Sequence, residues 1–225
     1  MTSIRHAVIM AAGRGLRMMP LTSSIPKPMA PFNGSTLIAQ AVARLAQRLP
    51  HIHITVGYKG AMLAQHVIEC GASSVFNTEG KGNCWWLYNT VLSTLDEPVY
   101  VLTCDNVVDL DFELIEQNYH ALNDPACMLV PVRPVEGLDG DYVFRNDHVV
   151  NEISRSKKTD IYCSGIQILN PRQVNRLTEE PENFYGVWNQ LIASQALMVS
   201  SVYPKKWYAV DTVEQLLMLN RAGMT

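Results

Sequence analysis

The chain has 225 residues, of which 48% are hydrophobic and 17% are charged, and its formal net charge at pH 7 is -3. A chain of this length and composition folds around a sizeable core without disulfides, which excludes disorder, collagen and a coiled coil. The slightly acidic balance also excludes a general basic surface for nucleic acid, so an anionic ligand must be held by local groups or by a metal.

The first half of the chain alternates strand and helix patterns. The predicted strands are His6–Met10, Ile52–Val56, Ser74–Asn77 and Val99–Cys104. The predicted helices are Thr36–Leu49, Lys59–Glu69, Asn83–Leu95 and Asp111–Leu122. This alternation predicts a parallel, doubly wound sheet with right-handed crossovers. Because ligands bind at the carboxyl ends of such strands, the loop after the first strand and the loop that begins at Asp105 should share an edge.

The second half is richer in short strands. The predicted strands are Cys127–Val132, Tyr142–Arg145, Val149–Ile153, Ile161–Leu169, Leu197–Tyr203 and Trp207–Val210. The predicted helices include Pro171–Leu177 and Thr212–Arg221. Asn146-Asp147 is a hairpin-type turn between two of the strands. We therefore predict an α/β fold with a doubly wound, mixed, mainly parallel sheet in a single compact domain.

A glycine-containing loop follows the first strand. Gly13 and Gly15 allow the backbone to approach a phosphate closely, and successive N–H groups form an anion cradle. The loop lacks the third glycine of a dinucleotide-binding motif, since Met18 stands there, and it has no Gly-Lys-Ser/Thr of a Walker loop. Taken alone, the Gly-x-Gly segment fits an ordinary turn about as well as a phosphate loop.

The continuation of this loop is more specific, because Pro20-Leu21-Thr22 is followed by Pro26-Lys27-Pro28. With Gly13, Gly15 and Arg17, this string resembles the N-terminal signature of the nucleotidylyltransferase family, G-x-G-x-R-x-x-P-L-T and then P-K-P. The resemblance extends over nearly the whole chain. It implies a Rossmann-like nucleotidyltransferase fold over residues 1–225, with a nucleotide-binding half in 1–124 and an acceptor-binding half in 125–225.

The resemblance also implies roles for residues of this loop. The residues that would bind the nucleoside triphosphate through the loop are Ala11, Ala12, Gly13 and Gly15. Arg17 would hold the β- and γ-phosphates and Lys27 the α-phosphate, as catalytic groups that neutralise charge on the leaving pyrophosphate. Arg14, in contrast, is expected to be a solvated surface charge.

Two carboxylates complete the implied site. Asp105 follows the central strand, at the place where the family has an aspartate that binds the nucleotide and a metal. Cys104 stands where the family usually has a glycine before this aspartate. Asp211 stands in a segment that resembles, with a longer spacing, the one that carries the family's second metal-binding aspartate. Carboxylate and phosphate oxygens suit Mg²⁺, the expected cofactor. The alternatives are a turn residue for Asp105 and, for Asp211, the N-cap of the last helix, a position for which Thr212 competes.

The segment 77–89 departs from the sugar nucleotidylyltransferases and looks more like the phosphocholine cytidylyltransferase branch. Glu79 and Asn83 are candidates for contacts with the nucleotide base. Trp85 and Trp86 are explained at least as well as core or interface aromatics.

On the acceptor side, Lys157 or Lys158 occupies the place of the family's E-K-P lysine, which would pair with the acceptor phosphate. Gly165 matches a glycine that lies close to the acceptor in the family. A surface charge pair is the alternative for either lysine. Further candidates for contacts with acceptor hydroxyls or a cationic group are Asp139, Asp141 and Glu152.

The cysteines and the longest uncharged run bear on the cellular compartment of the protein and on its partners. Five scattered cysteines with no C-x-x-C pair are typical of reduced thiols, so we expect a cytoplasmic protein. Residues 183–204 carry no charge but include many polar side chains, which predicts a helix and a strand rather than a membrane span. We therefore expect no membrane or nucleic-acid partner, whereas the aromatic helix around Trp85 permits a homo-oligomer.

Together these features imply an enzyme that transfers NMP from an NTP to a phosphorylated small molecule and releases pyrophosphate. The acceptor would be a sugar 1-phosphate or a phosphocholine-like molecule, and the product a nucleotide-activated precursor for cell-surface glycan or related biosynthesis. One alternative is a non-catalytic, nucleotide-binding regulatory module on the same fold, although such relatives usually lose the lysine or the aspartates. A nicotinamide-dependent dehydrogenase is disfavoured by the missing third glycine.

Overall fold

The structure is a computed structural model, and it describes residues 3–135 and 140–223. The strands in these residues are β1 His6–Met10, β2 Pro31–Phe32, β3 Ser35–Thr36, β4 His51–Val56, β5 Ser74–Asn77, β6 Val99–Thr103, β7 Asn106–Asp109, β8 Cys127–Val132, β9 Tyr142–Asn146, β10 Val149–Ser154, β11 Tyr162–Leu169, β12 Leu197–Val199 and β13 Lys206–Ala209. The α-helices are α1 Leu21–Ser24, α2 Leu37–Ala46, α3 Gly60–Glu69, α4 Trp85–Asn89, α5 Phe112–Ala121, α6 Pro171–Leu177, α7 Phe184–Ala193 and α8 Val213–Arg221. The 3₁₀ turns are Leu16–Met18, Lys27–Met29 and Val91–Thr94.

The chain divides into two compact units. The first unit comprises residues 5–81, 102–107 and 208–223, and the second comprises residues 3–4, 82–101 and 108–207. No α-helix within the described residues has the length and apolar character needed to cross a bilayer.

Parallel strands form the centre of the first unit. Strand β4 pairs in parallel with β1 on one side and with β5 on the other. The N–H of Cys104, directly after β6, donates to the carbonyl of Met10 at 3.1 Å, so the ends of β6 and β1 lie side by side. The middle of β1 and all of β4 after its first residue are buried, as expected for strands that are covered on both faces.

The sheet of the second unit is mainly antiparallel. Its strands follow the order β6-β11-β8-β12-β10-β9, and only the β8–β12 pair is parallel. The predicted hairpin is confirmed: β9 and β10 pair antiparallel around Asp147, whose φ of 51° is a turn conformation. The expected fold class, a mixed sheet with helices, is thereby confirmed.

The predicted helix Asn83–Leu95 is wrong in one respect, because it is broken at Thr90. Helix α4 ends at Asn89, and a 3₁₀ turn begins at Val91. Thr90 has extended backbone angles, its hydroxyl donates to the carbonyl of Trp86 at 2.7 Å, and the same oxygen accepts the N–H of Leu92 at 3.2 Å. This β-branched hydroxyl residue therefore ends one helix and caps the next turn.

The predicted strand Leu197–Tyr203 is likewise too long, since β12 ends at Val199. The hydroxyl of the next residue, Ser200, donates to the side-chain oxygen of Asn118 at 2.7 Å and accepts a hydrogen bond from the N–H of Val202 at 2.9 Å. A serine that bonds its own backbone two residues on favours a turn over a strand.

One apolar cluster of the first unit joins segments that are distant in sequence. Its buried members come from the loop after β1, from β2 and α2, and from the C-terminal segment; they are Met18, Ala30, Phe32, Leu37, Val210, Leu216 and Leu219. Burial of aliphatic side chains stabilises such a cluster by roughly 1.5–3 kcal/mol each. The loop after β1 is therefore fixed against helix α8 by the core, not only by its own turns.

Three histidines stack at the start of the parallel strands of the first unit. The His6 ring lies 4.6 Å from the His51 ring and 5.3 Å from the His53 ring, between centroids. His53 is buried, and its nitrogens contact Nδ1 of His6 at 3.0 Å and the Ser74 hydroxyl at 2.7 Å. Burial, together with the neighbouring imidazoles of His6 and His51, lowers the pKa of His53 from 6.5 to about 4.

This depressed pKa predicts a pH-dependent stability. Between pH 6.5 and pH 4 the unfolded chain binds a proton at His53 that the folded protein does not, so the free energy of unfolding rises with pH across this window. Relative to a His53→Gln variant, wild type should gain up to about 3 kcal/mol of stability between pH 4 and pH 7. Denaturant unfolding of both proteins at several pH values measures the difference. A difference that is flat over this range would contradict the assignment.

Candidate active site

The loop after β1 is anchored to the end of β4. The N–H of Ala11 donates to the backbone carbonyl of Thr55 at 3.2 Å, and the carbonyl of Ala12 accepts the N–H of Tyr58 at 3.1 Å. Gly13 is exposed, and a Cβ there would meet no atom within 4 Å. The loop therefore leaves the sheet from a fixed start and presents an open backbone at Gly13.

Gly15 is the tightest point of the loop. Its φ of 62° is a left-handed conformation, and a Cβ there would lie 2.7 Å from the Cβ of Lys27. The buried Thr22 hydroxyl donates to the carbonyl of Gly15 at 3.0 Å, and the Tyr58 hydroxyl donates to the carbonyl of Thr22 at 2.9 Å. The Pro-Leu-Thr part of the motif thus closes the loop on itself and brings Gly15 against the stem of Lys27.

Lys27 extends from a rigid turn toward two carboxylates. It lies in a 3₁₀ turn between the buried prolines Pro26 and Pro28, and it is only 8% exposed. Its Nζ donates to Oδ2 of Asp105 at 2.8 Å and to Oδ1 of Asp211 at 3.0 Å. One ammonium group therefore holds together two carboxylates from distant parts of the sequence.

Arg17 joins the same group from the solvent side. Its Nη2 lies 2.8 Å from Oδ1 of Asp211, the oxygen that Lys27 also contacts, and its side chain is 67% exposed. We call Arg17, Lys27, Asp105 and Asp211 the ion-pair cluster. All four residues belong to the first unit, and their formal charges cancel.

The backbone around Asp105 and Asp211 fixes both carboxylates. The carbonyl of Asp105 accepts the N–H of Val210 at 2.9 Å. Helix α8 is capped by Thr212, in a capping box with Gln215. The Oε1 of Gln215 also accepts the N–H of Asp211 at 2.7 Å. The N-cap is therefore Thr212, and the carboxylate of Asp211 is available to the cluster.

Charge in the cluster is well defined. Burial alone would lower the pKa of Lys27, but the carboxylates of Asp105 and Asp211 outweigh it and raise that pKa. Burial alone would raise the pKa of Asp105, but the Lys27 ammonium and hydrogen bonds hold it below its usual value. Both groups are consequently ionised at neutral pH. Desolvation raises the pKa of the partly buried Cys104 thiol well above its usual range, so the thiol stays protonated and is not suited to act as a nucleophile.

The donor set fits a hard divalent cation with ligands from the substrate. Two carboxylate oxygens converge on a single cation, the Lys27 ammonium. Within the described parts of the chain, no group of three or more His, Cys, Asp or Glu side chains is arranged to hold a metal. An ion between Asp105 and Asp211 would thus have two protein ligands and would need phosphate oxygens or water for the rest, as Mg²⁺ commonly does.

The two residues expected to contact the base belong to different units. Glu79 is exposed, and its N–H donates to the Asn77 side chain at 3.0 Å. Asn83, in the second unit, accepts the N–H of Phe184 with its side-chain oxygen at 2.9 Å. Of the two tryptophans that follow it, Trp86 is fully buried and Trp85 partly buried. Nothing in these contacts tests the base-binding role of Glu79 or Asn83, which stays a prediction.

The residues expected to contact the acceptor lie in the second unit. Lys157 is paired with Glu152 at 2.8 Å, and Lys158 is exposed. Gly165 has a φ of 78° and lies where the pairing of β11 with β8 shifts register, between Cys163 and Ile166. Their roles toward an acceptor stay predictions, and Asp139 lies outside the described residues.

Asp141 has partners that the sequence did not reveal. Its carboxylate accepts from Nε of Arg155 at 2.8 Å and from the Tyr185 hydroxyl. The guanidinium also lies over the Tyr185 ring, 5.3 Å from its centroid. Burial and the hydrogen bond to Asp141 raise the pKa of Tyr185 to about 12. Asp141 is therefore a compensated charge in this structure.

Tyr58 is the contributor to the loop that motif matching missed. It follows the carboxyl end of β4 by two residues, and it supports both Ala12 and Thr22. The rule that ligand-binding loops follow parallel strands points to this position, since β4 neighbours β1.

Comparison with known proteins identifies the family of the chain. The family model of the MobA-like NTP transferase domain matches residues 7–198. The chain belongs to this family. The matched part of the NTP transferase domain includes Arg17, Lys27 and Asp105 and ends before Asp211, so the inclusion of Asp211 in the cluster rests on the geometry.

Two curated relatives with a similar sequence carry the names of nucleotidyltransferases. The mannose-1-phosphate guanyltransferase of Pichia angusta is 24% identical over 226 residues, covering 93% of this chain and 62% of that protein. The glucose-1-phosphate adenylyltransferase of Pseudarthrobacter chlorophenolicus is 31% identical over 51% of this chain and 29% of that protein. The chain thus spans less than two thirds of the length of these curated relatives.

Two solved structures share the fold over nearly their whole length. The inositol-1-phosphate CTP transferase from T. maritima superimposes with a TM-score of 0.76 at 16% identity, covering 100% of this chain and 99% of that one. The CTP:phosphocholine cytidylyltransferase from Streptococcus pneumoniae superimposes with a TM-score of 0.75 at 22% identity, covering 97% and 99%. At these identities the likeness establishes the fold.

The contact between Gly15 and Lys27 gives a testable prediction. A Gly15→Ala variant of the NTP transferase domain carries backbone strain and also places a methyl group against Lys27. Gly34 is the matched control, because its φ of 74° gives the same strain but a Cβ there meets nothing within 4 Å. Gly15→Ala should therefore unfold with about 1–3 kcal/mol less stability than Gly34→Ala in denaturant titrations. Equal losses would show that the loop does not press on Lys27.

Proposed function

We propose that this NTP transferase domain is a nucleotidylyltransferase that transfers NMP from an NTP to a phosphorylated small molecule and releases pyrophosphate. The observation that carries the proposal is the ion-pair cluster. Lys27 and Arg17 are the cations that a triphosphate needs, and they lie at the end of a phosphate-type loop beside two carboxylates. Family membership supports the same reaction class.

The proposed reaction is an in-line displacement at the α-phosphorus. An oxygen of the acceptor phosphate forms the new bond to the α-phosphorus, and the bond to the bridging oxygen of the β-phosphate breaks, so that pyrophosphate leaves with the electron pair. Lys27 holds the α-phosphate, and Arg17 holds the β- and γ-phosphates. The acceptor phosphate is already ionised, so no side chain has to remove a proton.

Asp105 and Asp211 are the residues that would hold Mg²⁺. The ion, when bound, neutralises charge on the phosphate oxygens. The chain's own contribution is to orient the reactants. The loop from Ala12 to Gly15 supplies backbone N–H groups, whereas the N–H of the buried Ala11 is already bonded to Thr55, and the turn at Lys27 fixes the ammonium.

The acceptor is a sugar 1-phosphate or a phosphocholine-like molecule in this proposal. Support comes from the names of the relatives, which include mannose-1-phosphate, inositol-1-phosphate and phosphocholine nucleotidyltransferases. Lys157 or Lys158 would pair with the acceptor phosphate near Gly165, and Glu79 and Asn83 would contact the base. The product would be a nucleotide-activated precursor for cell-surface glycan or related biosynthesis, made in the cytoplasm, where NTPs are available and where five free cysteines remain reduced.

The direct test is a matrix of substrates. Pyrophosphate release is measured with CTP, UTP, GTP, dTTP and ATP against a panel of sugar 1-phosphates, inositol 1-phosphate and phosphocholine, with Mg²⁺ present. One NTP and one acceptor class should give turnover. Metal-dependent NTP binding without pyrophosphate release from any pair would instead favour the non-catalytic regulatory module.

A substitution at Asp105 tests the role of the cluster in the reaction. Asp105→Asn removes one negative charge beside Lys27 with little change in shape, and it should lower the rate of pyrophosphate release by at least about a hundredfold. Asp109→Asn is the matched control, since Asp109 is an exposed carboxylate four residues further along that is not part of the cluster. Thermal unfolding of both variants shows whether they fold. Turnover by Asp105→Asn at the wild-type rate would remove Asp105 from the site.

A further inference from the structure

In the ion-pair cluster, the two cations are paired with the two carboxylates. Lys27 contacts both carboxylates through Nζ, and Arg17 contacts the Asp211 oxygen that Lys27 also uses. Under the proposed function, on which this inference rests, the cations of the cluster bind phosphate and its carboxylates bind a divalent ion. Neither binding event can be completed while the present ion pairs between cations and carboxylates remain.

Distance and charge make the two occupants of the carboxylates mutually exclusive. The ammonium takes the facing oxygens at 2.8 and 3.0 Å. Mg²⁺ requires oxygen ligands at about 2.1 Å in a near-octahedral arrangement. An ion between the same two oxygens would lie next to a buried like charge, and that repulsion is weakly screened at a buried position.

The aliphatic part of the Lys27 side chain is closely packed, so the ammonium stays beside Asp105 and Asp211 unless another anion attracts it. The residue is buried in a turn between Pro26 and Pro28 in the sequence, and its Cβ approaches Gly15 so closely that no side chain fits there. Only the end of the side chain is able to change partners. A phosphate bound in the loop at Gly15 offers the nearest alternative anion, because this part of the loop directly contacts the lysine.

We propose that Lys27 is a built-in counter-cation that holds Asp105 and Asp211 together in the nucleotide-free protein and blocks divalent-cation binding until phosphate draws its ammonium away. Arg17 contributes in the same direction, but less, because of the two carboxylates it is paired with Asp211, not with Asp105, and its side chain is mostly exposed. Metal and nucleotide consequently bind as coupled partners, and by linkage each strengthens the other. The protein thereby avoids binding metal unproductively before its substrate arrives.

The test is direct measurement of Mn²⁺ binding to nucleotide-free protein, by the electron paramagnetic resonance signal of free Mn²⁺. Lys27→Gln, which removes the counter-cation, should bind Mn²⁺ at least about tenfold more tightly than wild type. Arg17→Gln should show a smaller increase. Arg14→Gln is the matched control, because it removes one positive charge from the same loop, where Arg14 lies over the Tyr58 ring at 5.5 Å, and it should bind Mn²⁺ like wild type.

Lys27→Gln that binds Mn²⁺ no more tightly than wild type would overturn the inference. Circular dichroism checks the fold of each variant. If Lys27→Gln does not fold, the comparison of Arg17→Gln with Arg14→Gln decides, and equal affinities in those two variants overturn the inference. Pyrophosphate release by wild type separates this inference from the proposed function, because turnover without tighter Mn²⁺ binding refutes only the former, and tighter binding without any turnover refutes only the latter.

Discussion

The contact of one lysine with two carboxylates is the interaction on which the first unit depends. Lys27 is separated from Asp105 by 78 residues and from Asp211 by 184 residues, yet its Nζ reaches both. A buried ammonium without such partners would be strongly unfavourable. The loop after β1, the end of β6 and the start of α8 must therefore be in place together for the charge of this ammonium to be compensated.

Apolar packing and caps position what this ion pair joins. Met18, from the loop, packs with Val210 and Leu216, from the segment that carries Asp211. The capping box of Thr212 satisfies the first turn of α8, so the neighbouring carboxylate of Asp211 is left for the cluster. Core burial thus provides most of the stabilisation, and the polar contacts determine which way the charged groups face.

The sequence was sufficient for features that depend on local pattern. The strands His6–Met10, Ser74–Asn77 and Cys127–Val132 have the predicted bounds because apolar runs between turn residues are decisive for buried strands. The motif also identified Arg17 and Lys27, which the structure brings together with the two predicted aspartates.

Other features were not predictable, for two different reasons. The break at Thr90 is local, because its hydroxyl bonds the backbone of Trp86 and Leu92, and helical periodicity does not report that choice. The remaining features depend on partners far away in the chain. The support of the loop by Tyr58 and the contacts of Asp141 with Arg155 and Tyr185 are tertiary pairs. That Lys27 occupies both carboxylates at once is likewise a matter of three-dimensional geometry.

Local charge compensation has a consequence for how the protein selects ligands. The four charges of the ion-pair cluster cancel, and in the second unit Asp141 is matched by Arg155. With a net charge of -3, the chain has no excess positive field to attract an anion from a distance. Under the proposed function, a triphosphate that binds here would have to exchange one ionic partner for another at short range. Selectivity in such a site would come from the fixed positions of Lys27 and its carboxylates rather than from the number of charges.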